Sequence, residues 1–482
     1  MKLSELLVGV PTKNLINYDE NLEINSLTAS SVDCTEGSLF FAIRGYSHDG
    51  SNYIYDAKRK GAVAVVTECA LKSDMVEILV EDVREVMALI SANFNYNAHK
   101  DLKIIGITGT NGKTTVTKMI GEVLKTSGKQ VATIGTLGVF INGVKSHSTL
   151  TTPDPIELHR IFQIAKLAGV EYVVMEVSAH ALELRKLKGI HFEVVAFTNF
   201  TQDHLDFFGS MEEYKRAKKR LFSKDFATFM VINADDPVGL EIIKERQLPF
   251  ATYGLNNPSD VFAIDYDTTK GTRAVINCFD DVFELYTPFS GDFNLYNTLT
   301  AVTILRLLSV KTEYILKAYF RMEEVEGRFN ILGNRKRVII DFAHTPDGLR
   351  NLLTSARKLT TGRLILVFGC GGNRDDSKRS IMGRIAGELA DFTVITSDNP
   401  RDEDPLTIIS QIESGHEKVS HDYISIIDRS HAINYAVTTA REGDVVVVAG
   451  KGAEESIEEK GVKRPYSDKS EVLEVFRRWN YD

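Results

Sequence analysis

Cysteine, surplus positive charge and long apolar runs are scarce in this 482-residue sequence, and each scarcity excludes a class of protein. The four cysteines lie far apart and form no Cys-x-x-Cys pair, so we expect neither a disulfide framework nor a zinc site. Lys and Arg together number 57 against 66 Asp and Glu, and the net charge of −9 argues against a nucleic-acid-binding surface. No apolar run is long enough to cross a bilayer, so we expect no membrane insertion.

The N-terminal sequence "MKLSELLVGV" lacks the apolar core and cleavage site of a secretion signal, so we expect a cytoplasmic protein. Apolar residues make up 43% and charged residues 26% of the chain, which is typical of a soluble globular protein. The length exceeds one ordinary hydrophobic core, so we expect about three domains.

Short apolar runs alternate with amphipathic helical patterns along the chain, which indicates an α/β fold. Residues 1–100 contain runs such as "GSLFFAI", and residues 101–331 continue through "EYVVMEVS" and "FEVVAFTNF". Residues 332–482 repeat the alternation from "LILVFGCGG" to "GDVVVVAGKG". We therefore predict three modules with these bounds, a largely parallel sheet in the central module and a smaller Rossmann-like sheet in the last.

The stretch "GITGTNGKTT", Gly106 to Thr115, joins an apolar strand to a helix in the manner of a phosphate-binding loop. Five residues separate Gly106 from Gly112, one more than in the standard pattern. Glycines in this setting let backbone N–H groups approach phosphate oxygens at a helix N-terminus. Lys113 would hold the terminal phosphates and Thr114 could contact Mg²⁺. An ordinary glycine-rich turn is the alternative that this motif alone leaves open.

Carboxylates and histidines follow two later apolar runs. Glu176 and His180 follow the first run, and Asp203, His204 and Asp206 follow the second. Ligands of open α/β sheets bind at the carboxyl ends of strands, so these groups are expected near the phosphate loop. Each cluster alone is more typical of a capped loop than of a metal site. Together, downstream of a phosphate loop, they favour Mg²⁺-nucleotide chemistry.

Eight motifs in a fixed order give the sequence a resemblance to the Mur ligase family. They span nearly the whole chain and read "TGTNGKTT", "EVSAH", "TNFTQDHLDFFGSMEEYKRAK", "GDFNLYN", "VEGRF", "DFAHTPDGL", "DNPRDEDP" and "GKGAE". The longer phosphate loop is the form this superfamily uses. The resemblance implies an α/β three-domain Mur ligase architecture: a UDP-substrate-binding N-terminal domain, a central P-loop ATPase-like domain with a parallel sheet, and a Rossmann-like C-terminal domain that binds an amino acid.

The activity that the resemblance implies is ATP-dependent amide-bond formation in peptidoglycan synthesis. The ligase would add meso-2,6-diaminopimelate to UDP-MurNAc-L-Ala-D-Glu through an acyl phosphate, with ATP and Mg²⁺ as cofactors, and we expect a monomer. Lys113, Glu176, His204 and Lys218 are the implied catalytic residues. The last three, with Thr114, are the implied Mg²⁺ ligands, and Lys218 matches a lysine that the family carries as a carbamate.

The resemblance also carries over three sets of binding residues. For ATP they are Gly109, Thr110, Asn111, Gly112, Lys113, Thr114, Thr115, Asn294, Asn297, Arg328 and His344, with Asp341 beside His344 in the linker between the last two domains. For the UDP-dipeptide they are Ser31, the "GYSHDG" loop from Gly45, Thr151, Thr152, Ser178 and Lys186. For the incoming amino acid they are Arg374, Asp398, Asn399, Pro400, Arg401, Gly450 and Glu454.

The sequence departs from the family pattern at several places. "SSV" (Ser30 to Val32) stands where the family has Asp-Ser-Arg, Ala179 stands for a Ser, Lys186 for an Arg and Ala453 for a His. A lysine keeps the charge of an arginine but loses its bidentate geometry. None of these departures falls on the implied catalytic residues, so we expect an active enzyme.

Arg401, in "DNPR", discriminates between amino-acid substrates. meso-Diaminopimelate carries a distal carboxylate, which a guanidinium can bind bidentately, whereas lysine carries only a distal ammonium. meso-Diaminopimelate also carries a distal ammonium, which the resemblance implies Glu454 would hold, and a plain turn is the alternative interpretation of "DNPR". Three other functions stay open: a lysine-adding ligase, a folylpolyglutamate-synthase-like ligase and a non-catalytic nucleotide-binding regulator.

Overall fold

The computed structural model describes residues 1–45, 49–146 and 150–481 and confirms the α/β fold. Within those ranges the strands form sheets of five, eleven and six strands and one two-stranded hairpin. In the same ranges no helix is both long and apolar enough to span a membrane.

The first sheet occupies the N-terminal part of the chain. Its elements are α1 (Leu3–Leu6), β1 (Asn14–Ile16), β2 (Ser26–Thr28), β3 (Ser38–Phe41), α2 (Ile54–Arg59), β4 (Ala62–Thr67), β5 (Val76–Leu79) and α3 (Val83–Phe94). The strand order is β1-β5-β4-β3-β2, parallel except for β1. The carboxylate of Asp82 caps α3, and the buried face of this helix, with Val86 and Ile90, packs in one core with Phe41 of the sheet.

The second sheet is the largest. Its elements are β6 (Lys103–Thr108), α4 (Lys113–Thr126), β7 (Val131–Gly135), β8 (Gly138–Ile141), β9 (Val144–Ser146), α5 (Pro155–Leu167), β10 (Tyr172–Glu176), α6 (Ala179–Glu183), β11 (Phe192–Phe197), α7 (Leu205–Phe208), α8 (Met211–Lys219), β12 (Ala227–Asn233), α9 (Pro237–Glu245), β13 (Phe250–Gly254), β14 (Val261–Asp267), β15 (Thr272–Cys278), β16 (Asp281–Thr287), α10 (Asp292–Leu307) and α11 (Thr312–Arg321). The order is β16-β15-β14-β13-β12-β11-β6-β10-β7-β8-β9.

The prediction of a parallel central sheet is confirmed for its middle, from β14 to β7. Both rims are antiparallel, because short turns join β7 to β8 and β9 at one edge and β14 to β15 and β16 at the other. A parallel crossover needs a dozen or more residues, which these connections do not have.

The third sheet has the order β17-β18-β22-β19-β20-β21 and is parallel except for β17. The C-terminal elements are β17 (Asn330–Leu332), β18 (Arg337–Asp341), α12 (Pro346–Lys358), β19 (Leu364–Phe368), α13 (Ser377–Leu389), β20 (Phe392–Ile395), α14 (Pro405–His416), β21 (Tyr423–Ser425), α15 (Arg429–Thr439), β22 (Val445–Ala449), β23 (Ser456–Glu459), β24 (Val462–Pro465) and α16 (Asp468–Trp479). The sheet begins at Asn330, so the division of modules at residue 331 stays a prediction.

Neighbouring strands in two sheets place the functional loops together. In the second sheet β6 lies between β10 and β11, and in the third sheet β19 lies between β20 and β22. All these pairs are parallel, so the loops that follow each strand emerge at one edge. The phosphate loop, Glu176 and His204 therefore share an edge, as do the loops that carry Arg374 and Arg401.

A buried ion pair joins α15 to α16 in the third sheet's domain. The guanidinium of Arg429 binds the carboxylate of Asp468 through two hydrogen bonds of 2.8 Å, and both side chains are buried. It also donates to the carbonyl oxygens of Ser397 (3.2 Å) and Ala449 (2.9 Å), at the ends of β20 and β22. Removing one partner of such a pair leaves an uncompensated buried charge.

We predict that Arg429→Met lowers the free energy of unfolding of this domain by about 3–5 kcal/mol. The single tryptophan of the chain, Trp479, lies on α16 and reports unfolding in urea by its fluorescence. Arg384→Met is the control, because the Arg384–Glu388 pair is largely exposed and its loss costs less than about 1 kcal/mol. Equal urea midpoints for the two variants would contradict the prediction.

Candidate active site

Loops from the second and third sheets line one cleft of about 810 Å³. Most of the predicted site residues lie in its lining: Thr110, Asn111, Gly112, Lys113, Thr114, Thr115, Thr151, Thr152, Glu176, Ser178, Lys186, His204, Lys218, Asn297, Arg328, His344, Arg374, Asp398, Asn399, Arg401, Gly450 and Glu454. Four predicted residues lie outside the lining: Ser31, Gly109, Asn294 and Pro400. The structure thus brings the predicted ATP and amino-acid residues together almost completely, with Thr151, Thr152, Ser178 and Lys186 of the UDP-dipeptide set.

The phosphate loop is held by the segment that follows β11. The N–H of Asn111 donates to the side-chain oxygen of Asn199 (2.9 Å), and the amide of Asn199 donates back to the Asn111 carbonyl (3.1 Å). The hydroxyl of Thr198 donates to that carbonyl as well (2.6 Å), and the N–H of Thr110 donates to the Asn199 carbonyl (2.9 Å). These bonds fix the direction of the loop backbone at the N-terminus of α4.

Two loop positions require glycine for both conformation and space. Gly109 has φ +148°, and a Cβ there would lie 1.9 Å from the Thr198 hydroxyl. Gly112 has φ +89°, and a Cβ there would lie 2.4 Å from the side-chain oxygen of Asn297. Side chains rarely adopt these backbone angles, so the close packing of this loop depends on the absence of Cβ atoms.

Two lysine amines converge on one carbonyl oxygen in this loop. Lys113 Nζ donates to the carbonyl oxygens of Gly109 (2.9 Å) and Thr110 (2.8 Å). Lys218 Nζ donates to the same Gly109 oxygen (2.8 Å). Burial lowers the pKa of Lys113, and burial together with the neighbouring Lys113 charge lowers the pKa of Lys218 well below its usual range.

Lys218 lies on the buried side of α8, although its sequence context is a basic run. Lys215 and Lys219 on the same helix pair with Glu241 of α9 at 3.2 and 3.5 Å. Lys218 is only 2% exposed, and its amine lies 4.6 Å from the ring centre of Tyr214. The surface-lysine interpretation therefore does not hold for Lys218.

Glu176 is a buried carboxylate at the carboxyl end of β10. It accepts hydrogen bonds from the N–H (2.9 Å) and the hydroxyl (3.1 Å) of Thr136, which follows the adjacent strand β7. A Cβ at Gly135 would lie 2.2 Å from a Glu176 carboxylate oxygen, so glycine makes room for this side chain. The partners of Glu176 in these bonds are neutral, which leaves its negative charge uncompensated by them.

His204 caps the short helix α7 with φ +57° and lies beside Asp203. Its Nε2 lies 3.2 Å from a carboxylate oxygen of Asp203, and burial lowers its pKa to about 3, so the imidazole is neutral. Asp203 also contacts His344 (3.7 Å) and Lys378 (3.5 Å) from the C-terminal part of the chain. Burial alone would raise the Asp203 pKa, but His344, His204 and Lys378 hold it well below its usual range.

Within the described residues, the unmodified side chains of the cleft do not by themselves form a metal site. In the part of the chain that the structure describes, no three His, Cys, Asp or Glu side chains form a group that could hold a metal ion. A metal site built on Glu176 and His204 therefore needs ligands of another kind.

Asn297 and Arg328 line the cleft beside the phosphate loop and the first turn of α4. The amide of Asn297 donates to the side-chain oxygen of Asn294 (3.1 Å), so Asn294 orients Asn297 from behind. The guanidinium of Arg328 stacks on the Phe342 ring at 4.2 Å and lies 3.4 Å from the Thr114 hydroxyl. An arginine held in this way presents its charge at the N-terminus of α4, where phosphates bind.

The linker after β18 is fixed by Asp341. Its carboxylate accepts the N–H groups of Phe329 (2.8 Å) and Ala343 (2.7 Å). His344, three residues on, has Nδ1 at 2.9 Å from the Phe342 carbonyl oxygen. Asp341 thus holds the turn that places His344 in the cleft.

Two of the residues predicted to contact the UDP-dipeptide, Thr152 and Lys186, make different kinds of contact. The buried hydroxyl of Thr152 bridges the Glu176 carbonyl (2.8 Å) and the Ser178 N–H (3.0 Å), so it braces the end of β10. Lys186 pairs with Asp154 at 2.7 Å and lines the cleft. Thr152 is therefore structural in this arrangement. Lys186 is a cation of the cleft lining that an anionic substrate could share with Asp154.

The predicted uridine contacts are not part of the cleft. Ser31 lies in a 3₁₀ turn (Ser31–Asp33) of the first module, outside the lining. Of the "GYSHDG" loop, residues 46–48 lie outside the described residues. The role of this region stays a prediction.

Arg401 lies in a turn with φ +52°, an uncommon backbone angle for arginine. Its N–H bonds to the Glu458 carbonyl (3.0 Å), and its Nη1 donates to the carbonyl of Gly372 in the loop after β19 (2.6 Å). Such strain in a cleft-lining residue is more typical of a functional site than of a plain turn.

Several residues that hold these loops were not predicted from the sequence. Arg379 is buried, binds Glu403 bidentately (2.8 and 2.9 Å) and donates to the Gly371 carbonyl (3.1 Å), which ties the loop after β19 to the loop after β20. Asn199 and Lys378 were also missed. Asn199 lies within the quoted "TNFTQDH" motif, but nothing in the sequence around Lys378 distinguishes it from a surface lysine.

Three regions of the chain match Mur ligase family models. Residues 23–95 match the Mur ligase family catalytic domain, residues 107–305 the Mur ligase middle domain, and residues 327–452 the Mur ligase glutamate ligase domain. Among solved structures, a UDP-N-acetylmuramoyl-L-alanyl-D-glutamate--2,6-diaminopimelate ligase is 29% identical with a TM-score of 0.69, covering 97% of this chain and 98% of that one. A Mycobacterium tuberculosis folylpolyglutamate synthase shares the fold at 16% identity and a TM-score of 0.64, covering 76% of this chain and 92% of that one.

Curated relatives match over almost their whole length. The UDP-N-acetylmuramoyl-L-alanyl-D-glutamate--2,6-diaminopimelate ligase of Caldanaerobacter subterraneus subsp. tengcongensis is 40% identical over 94% of each chain. The ligase of the same name from Alkaliphilus oremlandii is 39% identical over 99% of each chain. With all three family regions present in order and relatives this similar, the chain belongs to the Mur ligase family of ATP-dependent ligases.

Proposed function

We propose that the chain joins meso-2,6-diaminopimelate to UDP-N-acetylmuramoyl-L-alanyl-D-glutamate at the expense of ATP. The observation that carries the proposal is that a phosphate loop and an arginine-bearing pocket for an amino acid line one cleft. The names of relatives at 39% and 40% identity support it over a folylpolyglutamate-type activity, for which the similarity is 16%. The presence of Lys113, Glu176, His204 and Lys218 in that cleft favours a catalyst over a non-catalytic nucleotide-binding protein.

Each module takes one substrate in this proposal. Residues 1–100, with Ser31, bind the UDP end, and Lys186 binds a carboxylate of the dipeptide as it enters the cleft. Residues 101–331 bind ATP on the phosphate loop. Residues 332–482 bind the amino acid and bring its amine to the dipeptide.

The reaction proceeds in two steps. The γ-carboxylate of D-glutamate attacks the γ-phosphorus of ATP, the bond to ADP breaks, and an acyl phosphate forms. The amine of diaminopimelate then attacks the acyl carbon, phosphate leaves with the bonding electrons, and the amine loses a proton. Positioning and charge neutralisation supply most of the catalysis in such reactions. Lys113 and Arg328 supply cationic groups on the nucleotide side.

Mg²⁺ fits this site when Lys218 carries a carbamate. The buried carboxylate of Glu176 accepts hydrogen bonds from Thr136 and interacts with the charges of Lys113 and Arg328, and it offers anionic oxygens to a metal ion. Neutral His204 offers a nitrogen lone pair, Thr114 a hydroxyl, and a carbamate would replace a repelling ammonium with an anionic oxygen. Bound there, Mg²⁺ would neutralise charge on phosphate oxygens.

The proposed function is tested by phosphate release with ATP, UDP-MurNAc-L-Ala-D-Glu and one amino acid at a time. We expect release that requires all three components and is fastest with meso-diaminopimelate, with a UDP-tripeptide as the product by mass spectrometry. Release that is as fast with glutamate on a folate substrate, or none with any amino acid, would refute the proposal.

We predict that Lys113→Ala abolishes turnover without unfolding the protein. The lysine supplies charge to the phosphates, and its hydrogen bonds within the described residues go to the carbonyl oxygens of Gly109 and Thr110 in its own loop. Lys125→Ala, at the other end of α4, is the matched control and should keep wild-type activity. Circular dichroism checks the fold, and near-wild-type product formation by Lys113→Ala would disprove the phosphate-loop assignment.

We predict that Lys218→Ala is nearly inactive and partly rescued by short-chain carboxylates such as acetate. The lowered pKa of Lys218 favours the neutral amine, which is the form that reacts with CO₂, and a free carboxylate can occupy the place of the lost carbamate. Lys219→Ala is the control, since that lysine faces Glu241 outside the cleft. Full activity of Lys218→Ala without any carboxylate contradicts the carbamate role.

We predict that Arg401→Ala loses most activity with meso-diaminopimelate, mainly through a raised KM. Leaving the distal carboxylate unpaired costs about 2–5 kcal/mol, or roughly thirtyfold to several-thousandfold. The KM values for ATP and the UDP-dipeptide should barely move, and lysine should gain relative to meso-diaminopimelate. Arg464→Ala, on the neighbouring hairpin but outside the cleft, is the control. An unchanged ratio of kcat/KM for the two amino acids would mean that Arg401 only braces its turn.

A further inference from the structure

Lys451 is a lysine that no solvent reaches, in the loop after β22. Its side chain is 0% exposed, and Gly450 and Gly452 on either side both have positive φ angles of +114° and +54°. Burying an ammonium costs several kcal/mol unless anions and hydrogen-bond acceptors surround it. A lysine is kept in such a place only where its partners compensate it.

The partners of Lys451 belong to the amino-acid pocket. Its Nζ donates to the side-chain oxygen of Asn399 (3.0 Å) and to Glu454 Oε2 (2.8 Å), and it lies 3.9 Å from a carboxylate oxygen of Asp398. Asp398, Asn399 and Glu454 all line the cleft, whereas Lys451 does not. Lys451 therefore contacts side chains that line the cleft without lining the cleft itself.

The same contacts fix how the pocket presents its polar groups. The Asn399 oxygen accepts both Lys451 and the N–H of Glu458 (3.0 Å), so its amide nitrogen must face Glu454, to which it donates at 2.9 Å. Glu454 Oε2 accepts hydrogen bonds from Lys451 Nζ and from the Asn399 amide, and Oε1 takes no part in these two bonds. The carboxylate is thus held in one orientation with one oxygen directed elsewhere.

Lys451 also sets the charge of this part of the pocket. Asp398 and Glu454 carry two negative charges, and the buried ammonium cancels one of them. At the low dielectric of a buried site such a charge acts strongly on a ligand a few ångströms away. When Lys451 cancels one of the two negative charges, the pair repels a distal carboxylate less than the uncompensated pair does, whereas the uncompensated pair favours a lone distal ammonium.

We propose that Lys451 is a positioning residue that sets selectivity for an amino acid with a distal carboxylate, because it cancels one negative charge of the Asp398 and Glu454 pair and orients Asn399 and Glu454. The proposal rests on the function proposed above. It differs from the proposed role of Arg401, because Lys451 touches no substrate and acts through the charge and orientation of the pocket.

The test compares Lys451→Met and Lys451→Gln with wild type, using kcat/KM for meso-diaminopimelate and for L-lysine. Methionine removes the charge, and glutamine removes it while it keeps a hydrogen-bond donor, so the second variant serves if the first does not fold. The control is Arg363→Met, which breaks a cation–carboxylate pair with Asp444 at the opposite ends of β19 and β22. Thermal unfolding and the KM values for ATP and the UDP-dipeptide are measured for each protein.

We expect the ratio of kcat/KM for meso-diaminopimelate over L-lysine to fall by about tenfold or more in both Lys451 variants, mainly through the KM of the amino acid. The KM values for ATP and UDP-dipeptide should stay within about twofold, and Arg363→Met should keep the wild-type ratio. Adding Asp398→Asn to Lys451→Met restores the net charge and should return part of the preference for the distal carboxylate.

An unchanged ratio in a folded Lys451 variant, with equal loss on both amino acids, overturns the proposal and leaves Lys451 a structural residue. If the kcat/KM ratio falls in Lys451→Met and the added Asp398→Asn does not reverse the fall, then charge compensation by Lys451 is not the cause of the selectivity. Failure of the proposed function is seen separately, because wild type would then show no phosphate release dependent on meso-diaminopimelate before any variant is compared.

Discussion

The Gly109 carbonyl oxygen accepts hydrogen bonds from the partly buried amine of Lys113 and the buried amine of Lys218, and the chemistry of the central cleft depends on that sharing. Two ammonium groups around one neutral oxygen repel each other, and the surrounding protein screens them poorly. The carboxylates of Glu176 and Asp203 favour the charged form of Lys113, whereas the Lys113 charge opposes that of Lys218. Burial lowers the pKa of both amines, and that of Lys218 falls well below its usual range, which favours the neutral form that modification requires.

The loop around Gly109 is built to keep this oxygen in place. A Cβ at Gly109 would collide with the Thr198 hydroxyl, and the loop is tied to Asn199 in both directions. Because β6, β10 and β11 are parallel neighbours, Glu176 and His204 reach the same edge from either side of the loop. The sheet topology thus supplies the carboxylate, the imidazole and the two amines at one place.

Much of this arrangement could be predicted from residues close in sequence. The strand–loop–helix pattern around Lys113 and the polar groups after "EYVVME" and "FEVVAF" indicated an α/β sheet with a site at its carboxyl edge, because strand ends are visible in the sequence. Family resemblance identified Lys218, which local sequence alone would have assigned to the surface. Helical periodicity places Lys218 on a different face of α8 from Lys215 and Lys219, but the sequence alone does not show which face is buried.

Contacts between distant loops could not be predicted. Nothing near Asn294 in the sequence indicates that it supports Asn297 from behind, and nothing near Lys451 indicates that three loop residues from two strands surround it. The antiparallel rims of the central sheet could not be predicted for a similar reason, because the sequence of a strand does not reveal which neighbouring strand it pairs with. Such features depend on which loops meet across a sheet, and a single sequence does not record that.

Burial and the neighbouring charge of Lys113 lower the pKa of Lys218 and thereby favour its carbamylation. Carbon-13 NMR of the enzyme in ¹³C-labelled bicarbonate tests it most directly, with the same sample of Lys218→Ala as reference. The account predicts one carbamate carbonyl resonance in the wild-type enzyme that is missing from the variant. A fully active wild-type enzyme with no such resonance would contradict it.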